Sequence, residues 1–290
     1  MEILGQGLAG LVIADTPNTV KKFYIGADKG RTEQEYLTYL GNLQERGFTI
    51  ECPIPALIET IGEGEWDING KTYDYCNRIE RLAGTSGRRI LSDFTKQATE
   101  RLGTAIGSTA FAMHTNSKPY IEEWIHKAGD ADNLLGHILN DKAASVISEG
   151  SDSDVVRRVR EAADYLEGQC SSLTSTNTLC HLDFSLANIQ TDSSGKLYGL
   201  VDWVYFGLTN PSLSLYQLAY REIWPHVQRQ YEQLGGTLRE DIIYAAAAIH
   251  LAWAPIISKR LNFGLDVEET HEKFEVLWGE FEAHKLPAQE

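Results

Sequence analysis

The segment Cys180–Trp203 holds His181-x-Asp183-x4-Asn188 and, past a glycine-containing turn, an apolar run that ends in Asp202. Two carboxylates and one carboxamide therefore lie a few residues apart around what reads as a β-hairpin. Its strands are expected over Asn188–Thr191 and Lys196–Val201, joined by Asp192-Ser193-Ser194-Gly195. Phosphoryl transfer needs such a set: one carboxylate to orient a hydroxyl and accept its proton, and oxygen ligands for Mg2+. A polar turn between two strands would carry the same residues without chemistry, so the choice depends on what else the chain supplies.

It supplies Gly5-Gln6-Gly7-Leu8-Ala9-Gly10-Leu11-Val12, which fits G-x-G-x-x-G-x-V. In a dinucleotide-binding unit such glycines follow a full strand and open a helix. Here Val12-Ile13 and the turn Asp15-Thr16-Pro17-Asn18 come next, which places the glycines between strands. Gly5, Gly7, Gly10 and Val12 thus read as a nucleotide-binding loop whose backbone N–H groups approach phosphates. The following strand carries Lys21 and Lys22, and period-two alternation lets only one of them point inward. With Thr19 and Phe23 on the inward face, Lys21 is the expected phosphate ligand and Lys22 the alternative. A helical glutamate should hold that lysine. Glu33 and Glu35 are both available; Glu33 stands one turn before Leu37 on the same face and is preferred, with Glu35 kept open.

The elements that must position these groups can be read coarsely. Residues 1–82 look strand-rich with one helix: strands over Leu11–Ala14, Thr19–Tyr24, Ala56–Thr60 and Tyr73–Glu80, a hairpin turn at Ile68-Asn69-Gly70-Lys71, and a helix over Thr32–Arg46. Beyond Ser92, the expected N-cap of a helix over Asp93–His114, the pattern is mostly helical: Glu122–Leu139, Asp154–Cys170, Ser212–Tyr231, Leu238–Leu261 and Val267–His284. The chain has 290 residues, with 26 Lys+Arg against 41 Asp+Glu and a formal charge of −15. That balance argues against nucleic acid or an anionic membrane as the main partner and is compatible with a cationic small molecule. Cys52, Cys76, Cys170 and Cys180 are scattered without a C-x-x-C pair, so neither zinc nor a disulfide framework is expected. Without a leader-like amino terminus or an apolar run approaching ~18 residues, the expectation is a cytoplasmic protein, monomer or homodimer.

Glycine loop, strand lysine, helix glutamate, H-x-D-x4-N and a final Asp occur here in kinase order. Over roughly residues 4–220 the chain resembles the aminoglycoside phosphotransferase and choline kinase group of small-molecule kinases. The resemblance implies an α+β, two-lobed protein-kinase-like fold. A small antiparallel sheet lobe with one helix would occupy residues 1–82, and a larger, mainly helical catalytic lobe residues 83–290. It further implies Asp183 as the catalytic carboxylate, Asn188 and Asp202 as Mg2+ ligands, and His181 as the tie of the catalytic loop. The backbone near Glu80 and Leu82, in the connector Ile79–Gly84, would meet the adenine edge. Val201-Asp202-Trp203, with no A-P-E segment after it, differs from the Asp-Phe-Gly of protein kinases, and no G-x4-G-K-[ST] of a P-loop ATPase occurs.

The chain also departs from the group's pattern. Leu182 stands where Gly is usual, and Ser185-Leu186 near a usual His-Pro pair. The expected G-D-P-x-x-D-L-A run reads Asn210-Pro211-Ser212-Leu213-Ser214-Leu215-Tyr216-Gln217-Leu218-Ala219, without its acid. The implied reaction moves the γ-phosphoryl group of ATP, or of GTP, to a hydroxyl of an aminoglycoside, an amino alcohol or a similar molecule. The competing readings are a nucleotide-binding module without turnover and, less favoured, a protein kinase. Candidate acceptor-pocket residues are Glu122, Glu123, Trp124, Glu222, Trp224, His250 and Trp253; each tryptophan reads more readily as core.

Overall fold

The computed structural model describes residues 2–6, 10–128, 134–174, 176–261 and 264–285. The chain forms two compact units, Met1–Ala112 with Leu186–Phe206, and Met113–Ser185 with Gly207–Glu290. The first unit opens with an antiparallel sheet of β1 (Ile3–Gln6), β2 (Gly10–Thr16), β3 (Thr19–Tyr24), β4 (Leu57–Ile68) and β5 (Lys71–Glu80), in the order β1-β2-β3-β5-β4. Asn69 and Gly70, both at positive φ, make the tight turn between β4 and β5, as their types require. Helix α1 (Ala27–Glu45) buries Tyr36, Leu37, Tyr39, Leu40 and Leu43. It lies close to the sheet because Gly30 has no side chain: a Cβ there would fall 2.2 Å from the Tyr75 ring. Glu33 follows one turn later on the same buried face.

After β5 come β6 (Thr85–Ser86), α2 (Gly87–Ile90) and α3 (Lys96–Asn116), whose residues through Ala112 belong to the first unit. The helix is capped by Thr95, whose Oγ1 accepts the Ala98 N–H at 3.2 Å, and not by Ser92 as the sequence suggested. In the second unit lie α4 (Ile121–Ala128), α5 (Leu134–Gly136), a π-helical segment His137–Ala143, α6 (Ala144–Glu149), α7 (Ser153–Gly168) and α8 (Cys170–Thr174). The single helix expected over Glu122–Leu139 is thus not observed, and part of it lies outside the described residues. Strand β7 (Thr178–His181) follows, buried throughout.

The chain then re-enters the first unit. Strands β8 (Ile189–Thr191) and β9 (Leu197–Leu200) extend β6 into a three-stranded sheet ordered β6-β8-β9. Asp192 Oδ1 accepts from the N–H groups of Ser194 and Lys196, which shapes the hairpin turn. Hydrogen bonding led by the Ser194 hydroxyl holds the Asp192 carboxyl at a pKa of about 2. Gly195 sits at φ +74, and a Cβ there would lie 2.1 Å from the Ala98 carbonyl oxygen on α3. The hairpin therefore packs with residues before 112, whereas the sequence pattern assigns everything after residue 82 to one lobe.

Strand β10 (Phe206–Thr209) pairs with β7, and the second unit closes with α9 (Pro211–Ser214), α10 (Trp224–Gln233), α11 (Glu240–Leu261) and α12 (Val267–His284). One helix over Ser212–Tyr231 does not form. Pro225 would then stand in its interior at a cost of roughly 3 kcal/mol; here it occupies the first turn of α10, where proline is tolerated. Helix α11 packs against α7 and α12. By length and a mean hydropathy of 1.4 over 18 residues it could cross a membrane, against the expectation that no run was apolar enough. Yet 61% of that window is buried inside the unit, as in a core helix. His114, also buried, meets the Tyr231 hydroxyl at 2.9 Å and the Ser214 hydroxyl at 3.1 Å. Burial pushes its pKa down to about 3.

Two outcomes follow from this packing. Glycine-to-alanine inside a helix ordinarily adds about 1 kcal/mol of stability. Gly30→Ala is expected instead to destabilise by about 1–3 kcal/mol, because its methyl group overpacks the Tyr75 ring; urea unfolding measures the sign. His114 is neutral when folded and protonates below its ordinary 6.5 once unfolded, so the unfolded chain binds the additional proton. Stability is therefore expected to fall as pH drops from about 6.5 toward about 3, by at most about 1.4 kcal/mol per pH unit, and His114→Gln should flatten that dependence in urea titrations across pH.

Candidate active site

In the first unit three charged groups converge. Lys22 Nζ lies 2.7 Å from Glu33 Oε2 and 2.7 Å from Asp202 Oδ1. Glu33 is wholly buried. Its Oε2 also accepts the Tyr24 O–H at 2.5 Å, and its Oε1 accepts the Trp203 backbone N–H at 3.0 Å. Burial alone would depress the Lys22 pKa, but the charges of Asp202 and Glu33 outweigh it and raise the pKa well above the usual lysine range.

Lys21, the lysine favoured from sequence, points to the opposite face. It is 34% exposed and pairs with Asp15 at 3.3 Å, beside Arg78. Alternation points to the wrong lysine because both faces of β3 are apolar. Phe23, on the face of Lys21, packs with Leu11, Ile13, Tyr73 and Trp66. Lys22 instead shares its face with Val20 and Tyr24, whose hydroxyl reaches the α1 carboxylate. Glu33 is the helix acid that meets the lysine, and Glu35 is exposed.

Asp202 has φ +66, a left-handed backbone that a non-glycine residue adopts at a cost of about 1 kcal/mol or more. The Lys22 bond on its side chain and the Glu33 bond to the next N–H hold it there. Trp203 anchors the turn further: its ring is fully buried and its Nε1–H donates to the Leu200 carbonyl at 2.9 Å. The Asn188 carbonyl accepts the Val201 N–H at 2.9 Å, which brings Asn188 and Asp202 to the same end of the hairpin. A carboxylate and a carboxamide are hard oxygen donors, the kind that suit Mg2+.

Of the glycine loop, Gly5 and Gly10 lie on β1 and β2, and Gly7 lies outside the described residues. A Cβ on Gly10 would fall 2.7 Å from the Phe23 carbonyl oxygen. Val12 stands opposite Lys22 in the β2–β3 register. At the connector the Glu80 carboxylate accepts the Ala56 N–H at 3.1 Å and the Glu80 N–H donates to the Ala56 carbonyl at 2.8 Å; Leu82 is half-buried near Gly199.

In the second unit the loop after β7 carries Asp183, half-buried. The Asp183 N–H donates to Nδ1 of the buried His181 at 3.3 Å, and the Ser185 N–H donates to the Asp183 carbonyl at 2.8 Å. Asp183 Oδ1 accepts the Gln217 side-chain N–H at 2.6 Å. Sequence reasoning did not identify Gln217; the signal was the run Asn210–Ala219, in which Gln217 stands at the expected acid. Of the acceptor-pocket candidates, Trp124 and Trp224 are core, Glu122 and Glu222 are exposed, Glu123 is intermediate, and His250 and Trp253 pack together at 5.9 Å between ring centres.

The model of the phosphotransferase enzyme family matches residues 19–250. Among solved structures, the GDP and kanamycin complex of APH(2")-IIIa superposes with a TM-score of 0.67 at 16% identity, covering 98% of this chain and 93% of that one. The streptomycin–ATP ternary complex of APH(2")-IIa gives a TM-score of 0.60 at 14% identity, over 97% and 92%. A choline/ethanolamine kinase family protein from Mesorhizobium loti gives 0.59 at 16% identity, over 98% and 90%. No curated protein matches the sequence at a significant level. The structural likenesses establish the fold, and the family match spans most of the chain: it belongs to the phosphotransferase enzyme family and is a small-molecule kinase.

Proposed function

We propose that the chain moves the γ-phosphoryl group of ATP, with GTP as an alternative donor, to a hydroxyl of a small molecule. The observation that carries this reading is the buried Lys22–Glu33–Asp202 cluster. A lysine fixed by a helix carboxylate and aimed at a second carboxylate is a group made to neutralise phosphate charge. In this reading Lys22 binds the nucleotide phosphates, and the Gly5–Val12 loop covers them. Asn188 and Asp202 would hold Mg2+, which when bound supplies further charge neutralisation. The connector backbone near Glu80 and Leu82 meets the adenine.

Asp183 aligns the acceptor hydroxyl and takes its proton. Gln217 supports that role by fixing one carboxylate oxygen, and His181 by holding the loop N–H. The net charge of −15 is compatible with a cationic acceptor such as an aminoglycoside or an amino alcohol and does not select one. A panel of amino alcohols, sugars and aminoglycosides with ADP release as readout identifies the acceptor; the absence of turnover with every member would count against the reading.

Two substitutions separate the roles. Lys22→Met is expected to weaken ATP binding by about 10-fold or more, the scale of one lost charge-assisted contact, while Lys21→Met leaves it within about 2-fold; calorimetric titration compares them. Asp183→Asn should retain nucleotide affinity and lose about 10²–10⁴-fold in turnover, the scale of a general base. Unchanged turnover in that variant would remove Asp183 from the chemistry.

A further inference from the structure

The second unit buries a lysine that this reading of the reaction does not use. Lys142 lies in the π-helical segment and is 4% exposed. Its Nζ donates to the Tyr216 hydroxyl at 2.5 Å and to Nδ1 of His250 at 3.1 Å. The ammonium also stands 4.9 Å from the centre of the Tyr216 ring and 5.3 Å from that of Trp253. None of these partners is a carboxylate, so a cation has been taken from water without a contact ion pair. Such a group costs several kcal/mol unless something recovers it. The acids that face Lys142 are Asp183 and Asp141, both through space; the Asp141 carboxylate is engaged by Nδ1 of His137 at 2.6 Å. Arg221 and His137 act on His250 through space, and the Tyr220 ring stacks on it.

One short turn connects this cation to the loop carboxylate. Tyr216, Gln217 and Leu218 form a single 3-10 turn. Tyr216 presents its hydroxyl to Lys142, and Gln217 donates its side-chain N–H to Asp183 Oδ1. The two side chains are neighbours on that turn; against the larger effect of burial, which raises the Tyr216 pKa, the Gln217 amide lowers it slightly, as an N–H turned toward the phenol oxygen does. We propose that Lys142, acting through Tyr216 and Gln217, is a positioning residue that holds the Asp183 carboxylate in one hydrogen-bonded orientation; this rests on Asp183 being the carboxylate that aligns the acceptor. The chemistry of the donors supports an ordered relay. An ammonium has only donors, so the Tyr216 oxygen and Nδ1 of His250 must both accept from it. Burial, then the Lys142 charge, hold the His250 pKa well below its usual value, which keeps the ring neutral and able to accept. With Lys142 and the Gln217 amide N–H both directed at its oxygen, the Tyr216 O–H proton turns away from both of them. A neutral amine would offer a lone pair, the Tyr216 hydroxyl could then donate to it, and the oxygen lone pairs that face the Gln217 N–H would rotate with it, which releases the order.

The pH dependence has a definite sign. Burial outweighs the nearby acids and brings the Lys142 pKa down to about 8, against 10.5 for an exposed lysine. Turnover is therefore expected to fall as pH rises through about 8. Over the interval from about 8 to 10.5 the unfolded chain binds the proton that the folded one has released, so this group makes stability rise with pH. Opposite slopes of activity and stability are what a positioning role produces; a purely structural lysine moves only the second.

The test uses the full chain and two readouts. The side-chain amide resonance of Gln217 is identified by its loss in Gln217→Glu and followed with pH by 15N NMR. It should titrate with a midpoint near 8 in the unsubstituted protein and stay flat in Lys142→Met; a flat response in the unsubstituted protein overturns the relay. With an acceptor from the panel, Lys142→Met and Tyr216→Phe should each lower kcat on the order of 10- to 100-fold and abolish the alkaline fall, leaving KM for ATP within about 2-fold. Thermal melting should show Lys142→Met folded and at least as stable, since it removes a buried charge. Unchanged kcat in both variants overturns the proposal. No ADP release with any acceptor, alongside a Gln217 resonance that still titrates near pH 8, would refute phosphoryl transfer and leave the relay standing.

Discussion

The first unit is organised around one buried carboxylate. An ionised glutamate without solvent carries a desolvation cost of several kcal/mol, and only directed partners offset it. Glu33 receives three: the ammonium of Lys22, the hydroxyl of Tyr24 and the backbone N–H of Trp203. They come from β3 and from the chain just beyond β9, while Glu33 itself stands on α1. One side chain thus couples a strand, a helix and a hairpin end that are separated by up to 170 residues in sequence. That coupling helps to sustain the left-handed turn at Asp202, together with the anchored Trp203 ring. Gly30 belongs to the same constraint, since without close approach of α1 to the sheet the carboxylate would not reach the lysine.

What could be read from the sequence was what local chemistry determines. Asn69-Gly70 and Asp192–Gly195 announced their turns through residues that tolerate positive φ or accept backbone N–H groups. Helix α12 spans the expected Val267–His284, with Asp266 accepting at its N-terminus. Glu33 was found from its spacing to Leu37. The misses share a different cause. Lys21 and Lys22 are equivalent to any period-two rule when both faces of the strand are covered, and only the tertiary position of Glu33 separates them. Pro225 was a signal overlooked beneath an apolar pattern that ran across it. Lys142 has no local signature, because its role comes from a contact 74 residues away in the chain, and Gln217 was marked only by its place in the Asn210–Ala219 run, its partner lying 34 residues away.

Bulk charge and local charge also part company. The chain is strongly acidic, yet the surroundings of Asp183 hold a cation, a carboxamide and a histidine kept neutral by burial. Net charge thus speaks to partners that sense the whole surface, such as nucleic acid, and says little about the field at a particular oxygen. His114 and His250 are likewise silent in composition. His114 is buried and bonded to two hydroxyls, and the half-buried His250 accepts a hydrogen bond from Lys142; desolvation keeps both neutral.

The π-helical segment His137–Ala143 also changes the phase of the helix that continues from it. A wider turn absorbs one additional residue, and in an α-helix each residue advances the azimuth by about 100°. Lys142 and Ala143, at the end of the widened turn, and Val146 of α6 are all buried. The wide turn acts as a phase shifter between them: it sets the direction of Lys142 independently of the face that α6 turns to the core. Removing a single residue there would restore ordinary helical pitch and force a choice, with either the lysine or the valine rotated toward solvent.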